Sequence, residues 1–223
     1  MKLLALALVS IAGIYFGIFL SAKSIAAQDR PAFTPNYRIG VIRLVTDEGD
    51  TFCTGTVVNA TTIITAAHCV IRQVELNIDQ IEIRASDNIP LKLYGKPEVV
   101  SVPEQLDTAI LTGDFKQFTP KRYITNPRKL TKIRKNYESY LIACGYPMRG
   151  DLYCSRLEGI SPSGFQWASR GVLLPGMSGG PTMLEDGTQV AVNTAVSYEY
   201  SLVSPLYNVL RQANSDDYKN GDE

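Results

Sequence analysis

A single histidine, His68, and a single tryptophan, Trp167, serve a chain of 223 residues. One imidazole cannot build a multi-histidine metal centre, and the four cysteines include no C-x-x-C pair, so the donor spacing of a zinc site is missing. No metal and no cofactor are expected. An excess of either charge is also missing. The 22 Lys and Arg equal the 22 Asp and Glu, which removes the basic footprint of a nucleic-acid binder. Nucleic acid is therefore not an expected partner. There is no internal repeat, no low-complexity tract and, until the C-terminal region, no sustained helical periodicity, which argues against solenoids, helical bundles and disorder.

What is present begins with an uncharged apolar run, residues 3 to 22, followed by Lys23 and "SIAAQDR". Its length is close to the roughly 20 residues that a membrane-spanning helix needs. Ser24, Ala26 and Ala27 could equally furnish the small-residue cleavage site of a secretory signal. A cleaved signal and an uncleaved anchor both remain open, and both place the rest of the chain outside the cytoplasm, secreted or periplasmic. Membrane contact is expected only through this segment. Cys53, Cys69, Cys144 and Cys154 form the even set that an oxidising compartment permits. Separations of 16 and 10 residues make local pairing the simplest framework. Closing the larger loop should contribute on the order of 3 kcal/mol in the chain-entropy account.

Past Pro31 the sequence reads as short strands. "RIGVIRLV" (38–45), "TFCTGTVVN" (51–59), "TIIT" (62–65), "QIEIRA" (80–85), "LKLYG" (91–95) and "TAILT" (108–112) form a first set. A second set starts at residue 139 with "SYLIACGYP", "DLYCSRLEGI", "GFQWAS", "PTML", "QVAVNTAVS" and "YSLVS". Both are rich in β-branched residues and bounded by Gly, Pro, Asn or Asp, the pattern of an antiparallel sandwich or barrel. A helix is expected over 204–214, with Ser204 as cap, Pro205 in the first turn, and Leu206, Val209 and Leu210 on one face. The expected organisation is a leader over 1–30, a first β-unit over 31–115, a basic linker over 116–138, a second β-unit over 139–214 and a frayed tail over 215–223. The stretch 116–135 carries eight basic residues and reads as a solvated connection, with an anionic-lipid patch as its rival reading.

Three stretches then belong together. "TAAHC" presents His68, "LDTAIL" presents Asp107 at the start of an apolar strand, and "PGMSGGP" presents Ser178 in a glycine-rich turn. A serine hydroxyl needs a base to become a nucleophile, and imidazole titrates near working pH. A carboxylate behind the ring fixes its tautomer and stabilises the imidazolium. Backbone N–H groups must meet the oxyanion, and Gly176 and Ser178 would supply them, with Gly179 and Gly180 leaving room beside the hydroxyl. Asp79 and Asp87 also fall between His68 and Ser178, but neither opens an apolar strand of this kind.

With these motifs the chain resembles the trypsin-like, chymotrypsin-fold serine proteases, especially single-domain bacterial extracytoplasmic forms and the protease domain of periplasmic heat-shock proteases. The order His, Asp, Ser and the spacings of 39 and 71 residues suit the compact members, and the likeness runs from about Arg38 to Leu210. The resemblance implies an all-β fold of two antiparallel six-stranded barrels with a short C-terminal helix and the reacting groups in the cleft between them. It implies a disulfide between Cys53 and Cys69 that clasps the histidine loop, and a serine endopeptidase acting on polypeptides as a monomer. "VAVNTAVS" (190–197) resembles the substrate-binding strand of the heat-shock group.

The chain departs from the digestive enzymes in two places. Met177 precedes the serine where an aspartate would pair with a new N-terminus, and only 14 residues separate Ile39 from Cys53. Folding directly to a competent state is expected. Val172, six residues before Ser178, replaces the aspartate that selects Lys or Arg, and no second histidine exists to select Glu. Val172, Leu173, Asn193, Thr194, Ala195 and Val196 are the expected substrate-binding residues, favouring small or medium apolar side chains at the cleaved position. Tyr198, Glu199 and Tyr200 either edge the cleft or cover a hairpin. The alternative function is a catalytically silent homologue acting as a membrane-tethered binding module.

Overall fold

The structure, a computed structural model, describes residues 35–209 apart from 46–51, 72–73, 75–80, 87–88, 102–104, 125, 127–139, 149, 164 and 197–199. The N-terminal apolar run, Tyr198, Glu199, Asp79, Asp87, most of the basic stretch and the C-terminal tail lie outside the described residues. Among the described residues no helix is long and apolar enough to cross a membrane.

After one helical turn, Pro35–Arg38, the first strand set forms β1 (Val41–Val45), β2 (Phe52–Asn59), β3 (Thr62–Thr65), β4 (Ile81–Ser86), β5 (Ile89–Ser101) and β6 (Thr108–Thr112). These close antiparallel in the order β1-β2-β3-β6-β5-β4, with β4 returning to β1. The second set is β7 (Leu141–Gly145), β8 (Tyr153–Ser163), β9 (Gln166–Arg170), β10 (Pro181–Met183), β11 (Gln189–Val196) and β12 (Ser201–Pro205). It closes as β10-β11-β12-β9-β8-β7, with β7 against β10. The all-β fold of two six-stranded antiparallel barrels is thus present, and closure leaves no free sheet edge in either unit.

Local chemistry sets the turns. Between β2 and β3 the Asn59 side chain accepts from the Thr61 N–H at 2.8 Å, an Asx turn that fixes a two-residue connection. Ile42, Leu44, Val57, Ile63, Leu111 and Phe115 fill the first barrel, and Leu141, Leu157, Trp167, Met177, Val190 and Val203 fill the second. Two apolar seams join the barrels. Val58 and Ile64 meet Val192 and Leu206, while Tyr37 and Val41 meet Ile142, Cys144 and Met183. It is Tyr37 that inserts here, whereas Ile39 stays at the surface.

Two sequence expectations change. The helix does not start at Ser204: Ser204 and Pro205 end β12, and helical residues run from Leu206 to Val209, where the described chain stops. Ser204 pairs with Val192 across the sheet, so tertiary ladder bonds win over the capping pattern. The basic stretch is not wholly a solvated connection either. Lys121 is only 2% exposed, and its ammonium donates to the carbonyls of Asn36 at 2.8 Å and Tyr37 at 3.0 Å, capping the end of the opening helical turn. A tight pairing of Gln189 with Arg122 and Ile124 lays the same stretch along β11.

Candidate active site

His68 sits on a single 3-10 turn, Ala67–Cys69, that follows β3. Asp107 sits immediately before β6, which pairs with β3, so the two strands deliver both side chains to one end of the first barrel. The Asp107 carboxylate receives two bonds from His68: the ring Nδ1 lies 2.7 Å from Oδ2, and the backbone N–H donates to Oδ1 at 2.9 Å. A third bond joins the Ala67 N–H to the Asp107 carbonyl at 3.0 Å. The carboxylate side chain is 5% exposed and the imidazole 40%, an arrangement that buries the charge and leaves the far ring nitrogen open to a ligand. Asp107 has φ +50°, the only positive value at a non-glycine among the described residues, and this multiple anchoring holds it there.

The disulfide Cys53–Cys69 ties β2 to the histidine turn, and Cys144–Cys154 crosses the β7–β8 ladder at directly opposed positions. The sulfurs of Cys53 and Cys69 lie near the ring of His68 but are bonded to each other, so they offer no thiolate to a metal.

From the second barrel comes the loop Pro175–Gly180. It crosses to the first barrel through the Thr54 N–H, which donates to the Ser178 carbonyl at 2.8 Å, and Cys69 Sγ lies 3.9 Å from that same carbonyl. These contacts bring the serine loop to the histidine turn, and the His68 ring and the Ser178 hydroxyl are not hydrogen-bonded to one another. Such pairs often tighten only with substrate bound. Gly179 has φ +81°, and a Cβ there would stand 2.2 Å from both the Thr54 carbonyl and the Thr65 hydroxyl, so only glycine lets the loop approach this closely. Among the described residues, the N–H groups of Gly176 and Ser178 donate to nothing. These two unpaired donors stand two residues apart in a loop that is tightly bonded elsewhere.

The expected pocket residues divide. Val172 is half-buried, and its carbonyl accepts from the Ser155 hydroxyl at 2.6 Å. The side chains of Leu173, Asn193 and Thr194 are buried. Leu173 packs in the second core, Thr194 Oγ1 donates to the Leu202 carbonyl at 3.0 Å, and Asn193 is fully buried. The Asn193 amide donates to the carbonyls of Cys144 at 2.9 Å and Met177 at 3.2 Å, while its oxygen accepts from Thr182. Asn193 is thus a buried brace of the serine loop. The side chains of Ala195 and Val196 are outside the described residues. Tyr200 is exposed, and Trp167 lies in the second barrel's core.

Sequence reading missed Thr54, Gln166 and Ser204. Nothing in "FCTG" or "GFQW" distinguishes a bracing hydroxyl or amide from an ordinary strand residue. Only the juxtaposition of the barrels gives them partners.

The family model described as Trypsin matches residues 34–141. Residues 34–141 are thus similar to the trypsin family, and the fold of both barrels is that of the trypsin-like serine proteases. Match and fold together support a serine endopeptidase with polypeptide as its substrate. No curated protein matches the sequence. Among solved structures, the active form of the Rv3671c protease from M. tuberculosis superposes with TM-score 0.58 at 20% identity, covering 81% of this chain and 83% of that one. The serine protease of a human pathogenic astrovirus gives 0.55 at 20% identity, with 79% and 93% covered. The HtrA-type protease AlgW, solved with a tripeptide, gives 0.60 at 15% identity, with 81% and 60% covered. At these identities the likeness is one of fold, and this trypsin-like chain shares the two-barrel plan with bacterial and viral proteases alike. Its two disulfides belong to the oxidising conditions outside the cytoplasm.

Proposed function

We propose that the protein cleaves peptide bonds through an acyl-enzyme, with Ser178 as nucleophile, His68 as base and then acid, and Asp107 orienting the imidazole. The observation that carries this reading is the double engagement of the Asp107 carboxylate by His68, 2.7 Å at Nδ1 and 2.9 Å at the backbone N–H. It holds the proton on Nδ1 and leaves Nε2 as the basic nitrogen. Nε2 takes the proton of Ser178 Oγ as that oxygen attacks the scissile carbonyl carbon. The carbonyl oxygen gathers the electron pair and is met by the Gly176 and Ser178 N–H groups. The tetrahedral centre collapses with loss of the amine, which receives the proton from Nε2. Water then repeats the sequence on the ester and frees Ser178.

The preferred residue on the acyl side of the cleaved bond is small or medium and apolar. Val172 and Leu174 are half-buried where an aspartate would be needed to pair with Lys or Arg, and an unpaired buried charge is costly. The enzyme is competent without cleavage at Arg38. Ile39 is surface-exposed, Met177 is fully buried in the second core, and no acidic residue precedes Ser178 to receive a new N-terminus. The apolar segment over 3–22 exports the domain, as a signal or as an anchor.

A fluorophosphonate probe tests the core of this reading. Wild-type protein should label at Ser178, and the Ser178→Ala and His68→Ala variants should not. Absence of label on folded wild-type protein would instead favour the silent binding module. A peptide-library profile dominated by Arg, Lys or Glu would remove the specificity assignment.

A further inference from the structure

Four consecutive carbonyls of the serine loop each have a donor. Pro175 accepts from the Met148 N–H at 3.0 Å, and Gly176 from the Thr54 hydroxyl at 2.8 Å. Met177 accepts from the Gly180 N–H at 3.0 Å and the Asn193 amide at 3.2 Å, and Ser178 from the Thr54 N–H at 2.8 Å. A trans peptide is planar, with its C=O and N–H pointing opposite ways. Fixing the carbonyls of Pro175 and Met177 therefore aims the N–H groups of Gly176 and Ser178. The peptide between them, Gly176–Met177, is the pivot. Gly176 has φ +97° and no side chain, so no Cβ of its own fixes its setting. The peptide's N–H, on Met177, donates to the Leu174 carbonyl at 3.0 Å, and its carbonyl is held by one side chain, Thr54.

Thr54 belongs to β2 of the other barrel and is completely buried. Its hydroxyl has one proton. The Tyr146 N–H donates to the same oxygen at 2.8 Å, so the hydroxyl accepts there and directs its one proton to Gly176. The Thr54 carbonyl in turn accepts from the Thr65 hydroxyl at 2.9 Å, on the strand that leads to His68. One residue thus braces the serine loop, the β7 exit and the histidine strand.

We propose that the Thr54 hydroxyl is a positioning residue that presets the oxyanion donors by locking the Gly176–Met177 peptide. This rests on the catalytic reading of Ser178 given above. Thr54 touches no reacting atom, so its removal should raise the barrier and leave substrate binding intact.

The test compares Thr54→Val, which keeps the shape and deletes the proton, with Thr54→Ser, which keeps the hydroxyl. The full chain is assayed by peptide hydrolysis, by the rate of fluorophosphonate labelling and by affinity for a peptide boronate, whose tetrahedral adduct fills the oxyanion site. Thr54→Val should lower kcat roughly 10- to 100-fold with KM within about 3-fold, and weaken boronate affinity in parallel. Thr54→Ser should stay within about 3-fold of wild type. Should the Val variant fail to fold, Thr54→Cys, with its weaker donor, should show the same kcat loss at about 10-fold. Unchanged kcat in a folded Val or Cys variant, a loss confined to KM, or a Ser variant as impaired as Val overturns the proposal. Wild type that labels at Ser178 at the same rate as Thr54→Val overturns this proposal alone. Wild type that does not label overturns it together with the catalytic reading.

Discussion

Ser204, on the last strand of the second barrel, donates its hydroxyl to the carbonyl of Leu106, the residue before Asp107 in the first. The same hydroxyl accepts from the Gln166 amide at 3.2 Å, and that amide also donates to Thr194 at 2.9 Å. The strained conformation of Asp107, φ +50°, is thereby braced from across the cleft as well as from the histidine turn. Orientation of the carboxylate is a property of both barrels. Ser204→Ala should remove the bond to the Leu106 carbonyl and leave one Gln166 donor buried without a partner, lowering stability by about 1–3 kcal/mol. It should also cost about 10-fold in kcat/KM, measured well below Tm, because Asp107 loses one of its restraints. Ile63→Val, a core change of about 1 kcal/mol, is the control for stability alone and should leave kcat unchanged. Equal kcat for Ser204→Ala and Ile63→Val would refute the coupling.

Asp107→Asn separates charge from shape. The backbone N–H of His68 requires an acceptor at the Oδ1 position, 2.9 Å away, so the amide oxygen must stay there. The amide nitrogen then faces Nδ1 and donates to it. The ring is forced to carry its proton on Nε2, where it cannot accept one from Ser178. A fall in kcat of about 10⁴-fold follows, with KM little changed. Steady-state kinetics on a peptide substrate check this. A loss below about 10-fold would place the orienting carboxylate elsewhere.

How much of this was legible beforehand depends on whether a feature is local. Strands β3 and β6 were readable to the residue, because "TIIT" and "TAILT" are short apolar runs flanked by β-branched threonines. The meeting of His68 with Asp107 was readable because a general base needs a carboxylate behind its ring, and "TAAHC" and "LDTAIL" offer the two in order. The C-terminal helix was misread at its start, since Ser204-Pro205 is an ideal cap only if no neighbouring strand claims it. The buried bonds of the Asn193 and Thr194 side chains are not legible, because a strand's sequence does not say which face turns inward. Thr54, Gln166 and Lys121 act through partners from 28 to 122 positions away, so no window of sequence could show them.

Gly179 gives a sharp packing prediction. Gly179→Ala must accommodate a Cβ 2.2 Å from the Thr54 carbonyl and the Thr65 hydroxyl, at φ +81°. Gly159→Ala has a similar strain, φ +60°, but nothing within 4 Å of the new atom. The second should cost about 1 kcal/mol and keep activity. The first should cost several-fold more and separate the serine loop from β2, abolishing labelling at Ser178. Chemical denaturation of both variants makes the comparison, and equal losses would refute the close approach.

Lys121 makes stability depend on pH. Its ammonium is buried against the carbonyls of Asn36 and Tyr37, and desolvation lowers its pKa from the ordinary 10.5 to about 8. Below pH 8 the folded and unfolded chains both hold the proton, and above 10.5 neither does. Between these values the unfolded chain binds the proton and the folded chain does not, so the Lys121 contribution to stability rises with pH across that window. The rise should be on the order of 3 kcal/mol. Tyrosines also titrate in that window, so the quantity to measure is a difference. Urea unfolding of wild type and Lys121→Met at pH 7.5, 9 and 10.5 should show wild type gaining on the variant as pH increases. A difference that stays flat, or that falls, would mean the ammonium is not desolvated beneath the opening helical turn.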